Sequence, residues 1–193
     1  MIHEKIKLAV DDMMEEAVLT TYLLSRYEDV RMEPAPLIII CPGGGYEMLS
    51  NREAEQFAIQ WNSRGYHAAV LRYSVAPETF PTALLQLALA VLYVRKNSEV
   101  WGVDPKRIFL EGSSAGGHLA ACYGVFWKRP YVLKALGLED EMAEQLRPAG
   151  LILNYPVVTS GRYAHEGSFQ KLLGEAAANV QLKEELSIEK QVN

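Results

Sequence analysis

"LEGSSAGGHLAACYG", residues 110–124, decides how this chain is read. Gly112-Ser113-Ser114-Ala115-Gly116 places a serine between two glycines, each two residues away, with an apolar stretch before it and a helix-forming stretch after it. If the chain turns tightly from strand to helix at Ser114, the hydroxyl is left exposed on a strained backbone. Side chains two residues to either side would then collide with neighbouring backbone, so glycine fits both places. A serine that opens a helix also sits at its unpaired N–H groups and positive end, which favour an attacking oxygen and a developing oxyanion. By itself the pattern is common, and a serine at a helix start is more often an N-cap than a nucleophile.

The context raises its weight. Upstream lies "CPGGGY", residues 41–46, directly after the apolar run Leu37–Ile40. Three consecutive glycines allow backbone N–H groups to point into a cleft, and acyl transfer needs such donors about 3 Å from the oxygen that gains charge. The bland alternative is a flexible turn. A phosphate loop would continue with Lys-Ser or Lys-Thr, whereas Tyr46-Glu47-Met48 follow here.

The rest of the chain supplies a scaffold for these two motifs. "KIKLAV" and "AVLTTYLLS" read as early strands around the acidic turn "DDMMEE". "PLIIIC" reads as a fully buried strand and "YHAAVLRY" as the next one. "NREAEQFAIQWNSRG" has helical spacing at Ala54, Phe57, Ala58 and Trp61, with Gly65 as its C-cap. "PTALLQLALAVLYVRKNSEVWG" reads as one long helix with Pro81 near its start. "RIFLEG" is a strand leading into Ser114, residues 131–147 form a charged helical connection, and "AGLILNYPVV" is a further apolar strand. "SFQKLLG" and "QLKEELSIEK" are short helical candidates. Strands alternating with helices imply an α/β chain with a mostly parallel sheet covered on both faces, in three layers. Sites then form at the carboxyl ends of the strands.

Bulk properties narrow the field. A chain of 193 residues, 49% hydrophobic and 22% charged, suits a single globular domain over residues 1–193. A net charge of -5 with no basic cluster argues against nucleic acid as a partner. Cys41 and Cys122 are too few for a disulfide framework and read as buried thiols. The N-terminus lacks the pattern of a signal peptide, and the apolar run at residues 82–94 is too short to span a bilayer, so a cytoplasmic protein with no membrane partner is expected.

In this order the motifs resemble the α/β-hydrolases, in the esterase branch akin to hormone-sensitive-lipase-like enzymes. The likeness is closer to the small bacterial group described as acetyl esterases or xylanase-associated lipases. "RYSVAPETFPTALLQ" is similar to that branch's Tyr-Arg-Leu-Ala-Pro-Glu segment, "VDPKRIFLEGSSAGGHLA" to its nucleophile segment, and "LILNYPVVTSGRYAHEGSF" to the strand and substrate-side loop that follow. The resemblance implies Ser114 as nucleophile and the N–H groups of Gly44, Gly45 and Ala115 as an oxyanion hole. It also implies Tyr46, Tyr155, Pro156 and His165 near the acyl or alcohol pocket, a small acyl ester as substrate, and no metal or organic cofactor. Pro42 stands where the branch usually has His, and Ser113 where it often has Asp.

A serine hydroxyl needs a base, usually a histidine oriented by a carboxylate, and in this fold the order is serine, acid, histidine. Four histidines are present. His3 and His67 lie away from the site. His118, four residues after Ser114 on a rigid helix, is expected to pack or to make a supporting hydrogen bond. His165 is a plausible substrate contact but a poor base. Asp140, Glu141 and Glu144 lie in the wrong connection, and Glu166 and Glu175 have no histidine beyond them. In the resembled family, the segment after "SIEKQVN" leads into two further strands that supply acid and histidine. The expectation is a nucleophile half without its general-base half, with C-terminal strands missing, an exposed sheet edge at Leu151–Asn154 and possible self-association through it. A non-catalytic ester- or sugar-binding remnant is the alternative reading, and a nucleotide-binding domain a second rival.

Overall fold

In the computed structural model, which describes residues 1–9, 16–25 and 33–192, the apolar run Leu37–Ile40 forms the middle of a six-stranded sheet. It belongs to β3 (Ala35–Cys41), whose residues 37–40 are at most 1% exposed because both faces of the sheet are covered. β3 pairs in parallel with β4 (His67–Arg72) and β5 (Val103–Ser113), and β5 in parallel with β6 (Gly150–Asn154). β1 (Lys5–Leu8) and β2 (Ala17–Tyr22) complete the other side as antiparallel strands, giving the order β1-β2-β4-β3-β5-β6. The acidic turn expected at residues 11–16 lies outside the described residues except for Glu16.

Side chains alternate across a strand, so β3 feeds two cores. Ile38 and Ile40 face α1 (Glu55–Asn62) and pack with Ala54, Ala58, Ala68 and Val70. Leu37, Ile39 and Cys41 face the larger core built with α2 (Thr82–Lys96) and α4 (Ala115–Phe126). The three-layer expectation holds. The C-cap of α1 is Ser63, in the right-handed region, and not Gly65, which lies two residues further on at φ +84°.

Three readings need adjustment. The long helix expected over residues 81–102 breaks at Asn97, whose side chain bonds the Tyr93 carbonyl, leaving a short α3 (Ser98–Trp101) closed by Gly102 in the left-handed region. β5 begins at Val103 rather than Arg107, and the stretch at Asp104-Pro105 forms an irregularity within it. There Val103 pairs with Ala35 and Ile108 with Leu37, while Asp104 takes hydrogen bonds from Lys106 N–H and Arg107 Nε. The 131–147 connection divides into α5 (Pro130–Ala135) and a 3-10 segment, Asp140–Leu146. Beyond β6 lie α6 (Glu166–Leu173) and α7 (Val180–Glu185). β6 pairs only with β5 among the described residues and leaves Leu151 and Leu153 exposed. No described helix is long and apolar enough to cross a membrane.

The passage from β5 to α4 is where the backbone is most crowded. A Cβ on Gly112 would lie 2.1 Å from the Gly116 carbonyl oxygen, and a Cβ on Gly116 would lie 2.0 Å from that of Cys41. Both obstacles are backbone, which cannot rotate away. Gly124, further along α4, differs: its Cβ would meet side-chain atoms of Leu151, nearest Cδ1 at 2.5 Å, the end of an exposed side chain.

His118 lies on α4 and is 1% exposed. Its Nε2 faces the Leu186 carbonyl at 2.9 Å, and a carbonyl only accepts, so the proton is on Nε2. Nδ1 therefore accepts from the Tyr46 hydroxyl at 2.8 Å. Burial pushes its pKa down to about 4, against a smaller upward pull from the Leu186 carbonyl.

Two outcomes follow from this packing. Gly116→Ala should cost about 3 kcal/mol or more, the upper range for overpacking. Gly124→Ala should be neutral or stabilising by up to about 1 kcal/mol, since alanine is the better helix former; urea midpoints of both variants decide this. For His118, the unfolded imidazole titrates near 6.5 and the folded one near 4. The unfolded state therefore holds more protons between those values, and stability rises with pH across that window, by roughly 3 kcal/mol at full extent. Urea midpoints measured from pH 4 to 7 should show this slope, and His118→Gln should remove its share of it.

Candidate active site

Parallel register brings three loops to one place. Cys41 stands opposite Gly112 and Ser113 opposite Asn154, so the chain segments leaving β3, β5 and β6 emerge side by side at the carboxyl edge of the sheet. The glycine loop follows Cys41, Ser114 follows Ser113, and Tyr155 follows Asn154.

Ser114 takes φ 52° and ψ -117°, a conformation that costs a non-glycine residue about 1–3 kcal/mol. Its neighbours hold it there. The Ser114 N–H donates to the Asn154 carbonyl at 3.0 Å, and the Ser114 carbonyl accepts from Val157 N–H at 3.2 Å and from His118 N–H at 3.0 Å. The residue is half-buried, and its hydroxyl makes no hydrogen bond among the described residues. α4 starts at the next residue, so the Ala115 N–H is one of the unpaired donors of a helix start.

Gly43 lies closest to the serine: a Cβ there would meet Ser114 Cβ at 3.0 Å and the Ser113 carbonyl oxygen at 2.7 Å. Gly44 and Gly45 follow at φ +133° and +67°. The Gly44 carbonyl closes a turn by accepting from Glu47 and Met48, while the Gly44 and Gly45 N–H groups donate to no protein group among the described residues.

The four residues expected near a pocket are placed differently from one another. Tyr46 is 3% exposed, with its hydroxyl on His118 and its ring beside Tyr73, so its side chain belongs to the core. Tyr155 is 66% exposed, at φ +40°, and its hydroxyl donates to Glu53 Oε1 at 2.9 Å. Pro156 packs on α4, where a Cβ on Gly117 would approach its own Cβ to 2.9 Å. His165 is exposed and caps α6, its Nδ1 accepting from the Ser168 N–H at 3.3 Å and lying 2.8 Å from Ser168 Oγ. A Cβ on Gly45 would lie 3.6 Å from Ser168 Oγ, so His165 reaches the glycine loop through that hydroxyl.

Each histidine is accounted for. His118 accepts on Nδ1 inside the core. His165 spends its lone pair on Ser168, which leaves the proton on Nε2. His67 bonds Leu24 N–H and the Gly102 carbonyl at the amino end of β4. His3, next to β1, is four strand spacings from β5, roughly 19 Å away.

Three residues at the site carried no signal in the sequence. Glu53 ends the 3-10 turn Asn51–Glu53 that precedes α1. Its Oε2 accepts the Gly43 N–H at 2.8 Å. Tyr73 is buried and donates to the Pro42 carbonyl at 2.6 Å. Glu111, 6% exposed, accepts from Trp61 Nε1 at 2.6 Å and Asn154 Nδ2 at 2.9 Å. Glu111, Asn154 and Tyr155 share a wall of an open recess of about 470 Å³ with Phe57, Trp61 and Arg64.

Comparison with known proteins agrees with this geometry. The BD-FAE family profile matches residues 26–150. The chain is 33% identical over 163 residues to an endo-1,4-beta-xylanase B of Butyrivibrio fibrisolvens, covering 80% of this chain and 24% of that protein. It is 31% identical over 141 residues to an acetylxylan esterase of Xylanibacter ruminicola, covering 71% of this chain and 26% of that protein. The chain thus spans about a quarter of the length of these two curated relatives. Among solved structures, an acetyl ester-xyloside bifunctional hydrolase from Caldicellulosiruptor lactoaceticus superposes with a TM-score of 0.83 at 32% identity, over 98% of this chain and 70% of that one. The carboxylesterase Cest-2923 from Lactobacillus plantarum gives 0.80 at 27% identity, over 100% and 68%. The sheet order, the elbow at Ser114 and these matches lead to one assignment: the chain belongs to the BD-FAE family, on the fold of the α/β-hydrolase esterases.

Proposed function

We propose that the chain is the nucleophile-bearing part of a serine carboxylic ester hydrolase that acts on small acyl esters, acetyl esters foremost. The observation that carries this is the strained Ser114, its hydroxyl unengaged, pressed against Gly43 at the head of a loop whose next two N–H groups are unbonded. Ser114 Oγ attacks the ester carbonyl. The N–H groups of Gly44, Gly45 and Ala115 receive the oxyanion, each donor being worth about 3 kcal/mol in a preorganised site. The ester C–O bond breaks and the alcohol leaves with the Ser114 proton, relayed by solvent water; a second water then adds to the acyl-serine and breaks its C–Oγ bond, releasing the acid and restoring the Ser114 hydroxyl. Tyr155, Pro156 and His165 border the substrate, and these steps use protein groups and water. Similarity to an acetylxylan esterase and to an acetyl ester-xyloside hydrolase favours a carbohydrate on the alcohol side.

Turnover by this chain alone is expected to be slow, because none of its four histidines offers Ser114 a lone pair within reach. Oxyanion stabilisation and binding without a triad still exceed the reaction in water by about 10³-fold. A fluorophosphonate probe should therefore modify Ser114 slowly and selectively, as read by intact mass and peptide mapping, and Ser114→Ala should take up none. A protein that binds acetylated xylose oligomers but leaves Ser114 unmodified would be the non-catalytic remnant instead.

A further inference from the structure

The groups proposed to hold the oxyanion are backbone amides, and a backbone amide is aimed only as well as its peptide plane is fixed. The plane that sets the direction of the glycine loop is the Pro42–Gly43 peptide, the first after β3. Both of its polar ends are taken. Its carbonyl accepts from Tyr73 Oη at 2.6 Å, from the buried side, and its N–H donates to Glu53 Oε2 at 2.8 Å, from the rim. The same peptide unit touches the nucleophile, since a Cβ on Gly43 would meet Ser114 Cβ at 3.0 Å and Glu53 Oε2 at 2.8 Å. No side chain other than hydrogen fits between the carboxylate and the serine.

Glu53 has a second tie. Its Oε1 accepts from Tyr155 Oη at 2.9 Å, so one carboxylate spans the loop after β3 and the loop after β6, on either side of Ser114. Local structure places it there. Ser50 N–H donates to the Gly43 carbonyl at 2.8 Å, folding the chain back on the glycine loop, and a 3-10 turn over Asn51–Glu53 then presents the carboxylate. A charged acceptor forms stronger hydrogen bonds than a neutral one, so this acceptor holds both donors more firmly than a carbonyl would.

We infer that Glu53 is a positioning residue for the ester-cleaving site. It holds the Pro42–Gly43 peptide against Tyr73, so that the Gly44 and Gly45 amides face Ser114, and it anchors Tyr155 across the cleft. This rests on the function proposed above. It adds that the efficiency of the oxyanion donors is set by a carboxylate that never touches the substrate.

The test is the rate of fluorophosphonate modification of Ser114, resolved into kinact and KI, for the wild type, Glu53→Ala, Glu53→Gln and Tyr73→Phe. Displacing the donors acts on the transition state, and misplacement on the scale of 1 Å can cost up to about a hundredfold. Glu53→Ala should lower kinact by about tenfold or more while KI stays within about threefold. Glu53→Gln keeps an acceptor for the Gly43 N–H and should recover most of kinact, a rescue that a general loss of packing would not show. Tyr73→Phe frees the other end of the same peptide and should also lower kinact, so the inference stays testable if Glu53→Ala fails to fold. Equal kinact in Glu53→Ala and wild type, a loss confined to KI, or Glu53→Gln as slow as Glu53→Ala would overturn it. Absence of modification in the wild type defeats instead the serine-hydrolase reading beneath it.

Discussion

One backbone crossing governs the geometry of this molecule. The first turn of α4 lies directly on the ends of β3 and β5, with only glycine hydrogens between them. Gly116 faces the Cys41 and Pro42 carbonyls, and Gly112 faces the Gly116 carbonyl. Because side chains are absent, the helix starts one residue after Ser114 rather than a turn later. The glycine loop is carried to within contact of Ser114 for the same reason. The strain at φ 52° follows from this close approach, and the surrounding hydrogen bonds keep it in place.

From that crossing the site assembles in a fixed sequence of contacts. Parallel pairing aligns the ends of β3, β5 and β6, the Asn154 carbonyl and Val157 N–H grip Ser114 from the β6 side, and Tyr73 and Glu53 grip the peptide before Gly43 from the other. Each contact is an ordinary hydrogen bond of modest net value. Together they fix dipoles before any substrate arrives, which is the property that makes backbone donors effective toward a developing oxyanion.

Much of this was legible in the residues, and the parts that were not share a physical cause. The continuous run Leu37–Ile40 announces a strand buried on both faces, and the glycines around Ser114 announce a crossing of backbones; both are local rules with strong steric penalties behind them. The break at Asn97 depends on a side-chain bond to Tyr93, and the irregular start of β5 on how it pairs with β3, neither of which a helix or strand period encodes. The family resemblance implied Tyr46 as a pocket residue, yet at φ +58° the turn sends its ring inward to His118. Glu53, Tyr73 and Glu111 were invisible for a simpler reason. Their partners are 31 to 102 residues distant in the chain in three of the four cases that matter most, Tyr73 to Pro42, Tyr155 to Glu53 and Trp61 to Glu111, and nothing in a carboxylate's immediate neighbours marks it as a clamp.

Two carboxylates beside the elbow tie together segments that are distant in the chain. Glu53 gives one oxygen to the Gly43 N–H and the other to Tyr155. Glu111, three residues before Ser114, gives one to Trp61 and the other to Asn154, the residue whose carbonyl holds the Ser114 N–H. Each carboxylate thus joins donors from two different loops or layers, and among the described residues neither is bonded to an imidazole. A carboxylate shared between two segments in this way is a strong local organiser, because each of its bonds fixes one segment relative to the other. In the function proposed for this chain, aiming the backbone donors falls to Glu53 and the crossing of α4, and no imidazole among the described residues bonds the Ser114 hydroxyl or either carboxylate.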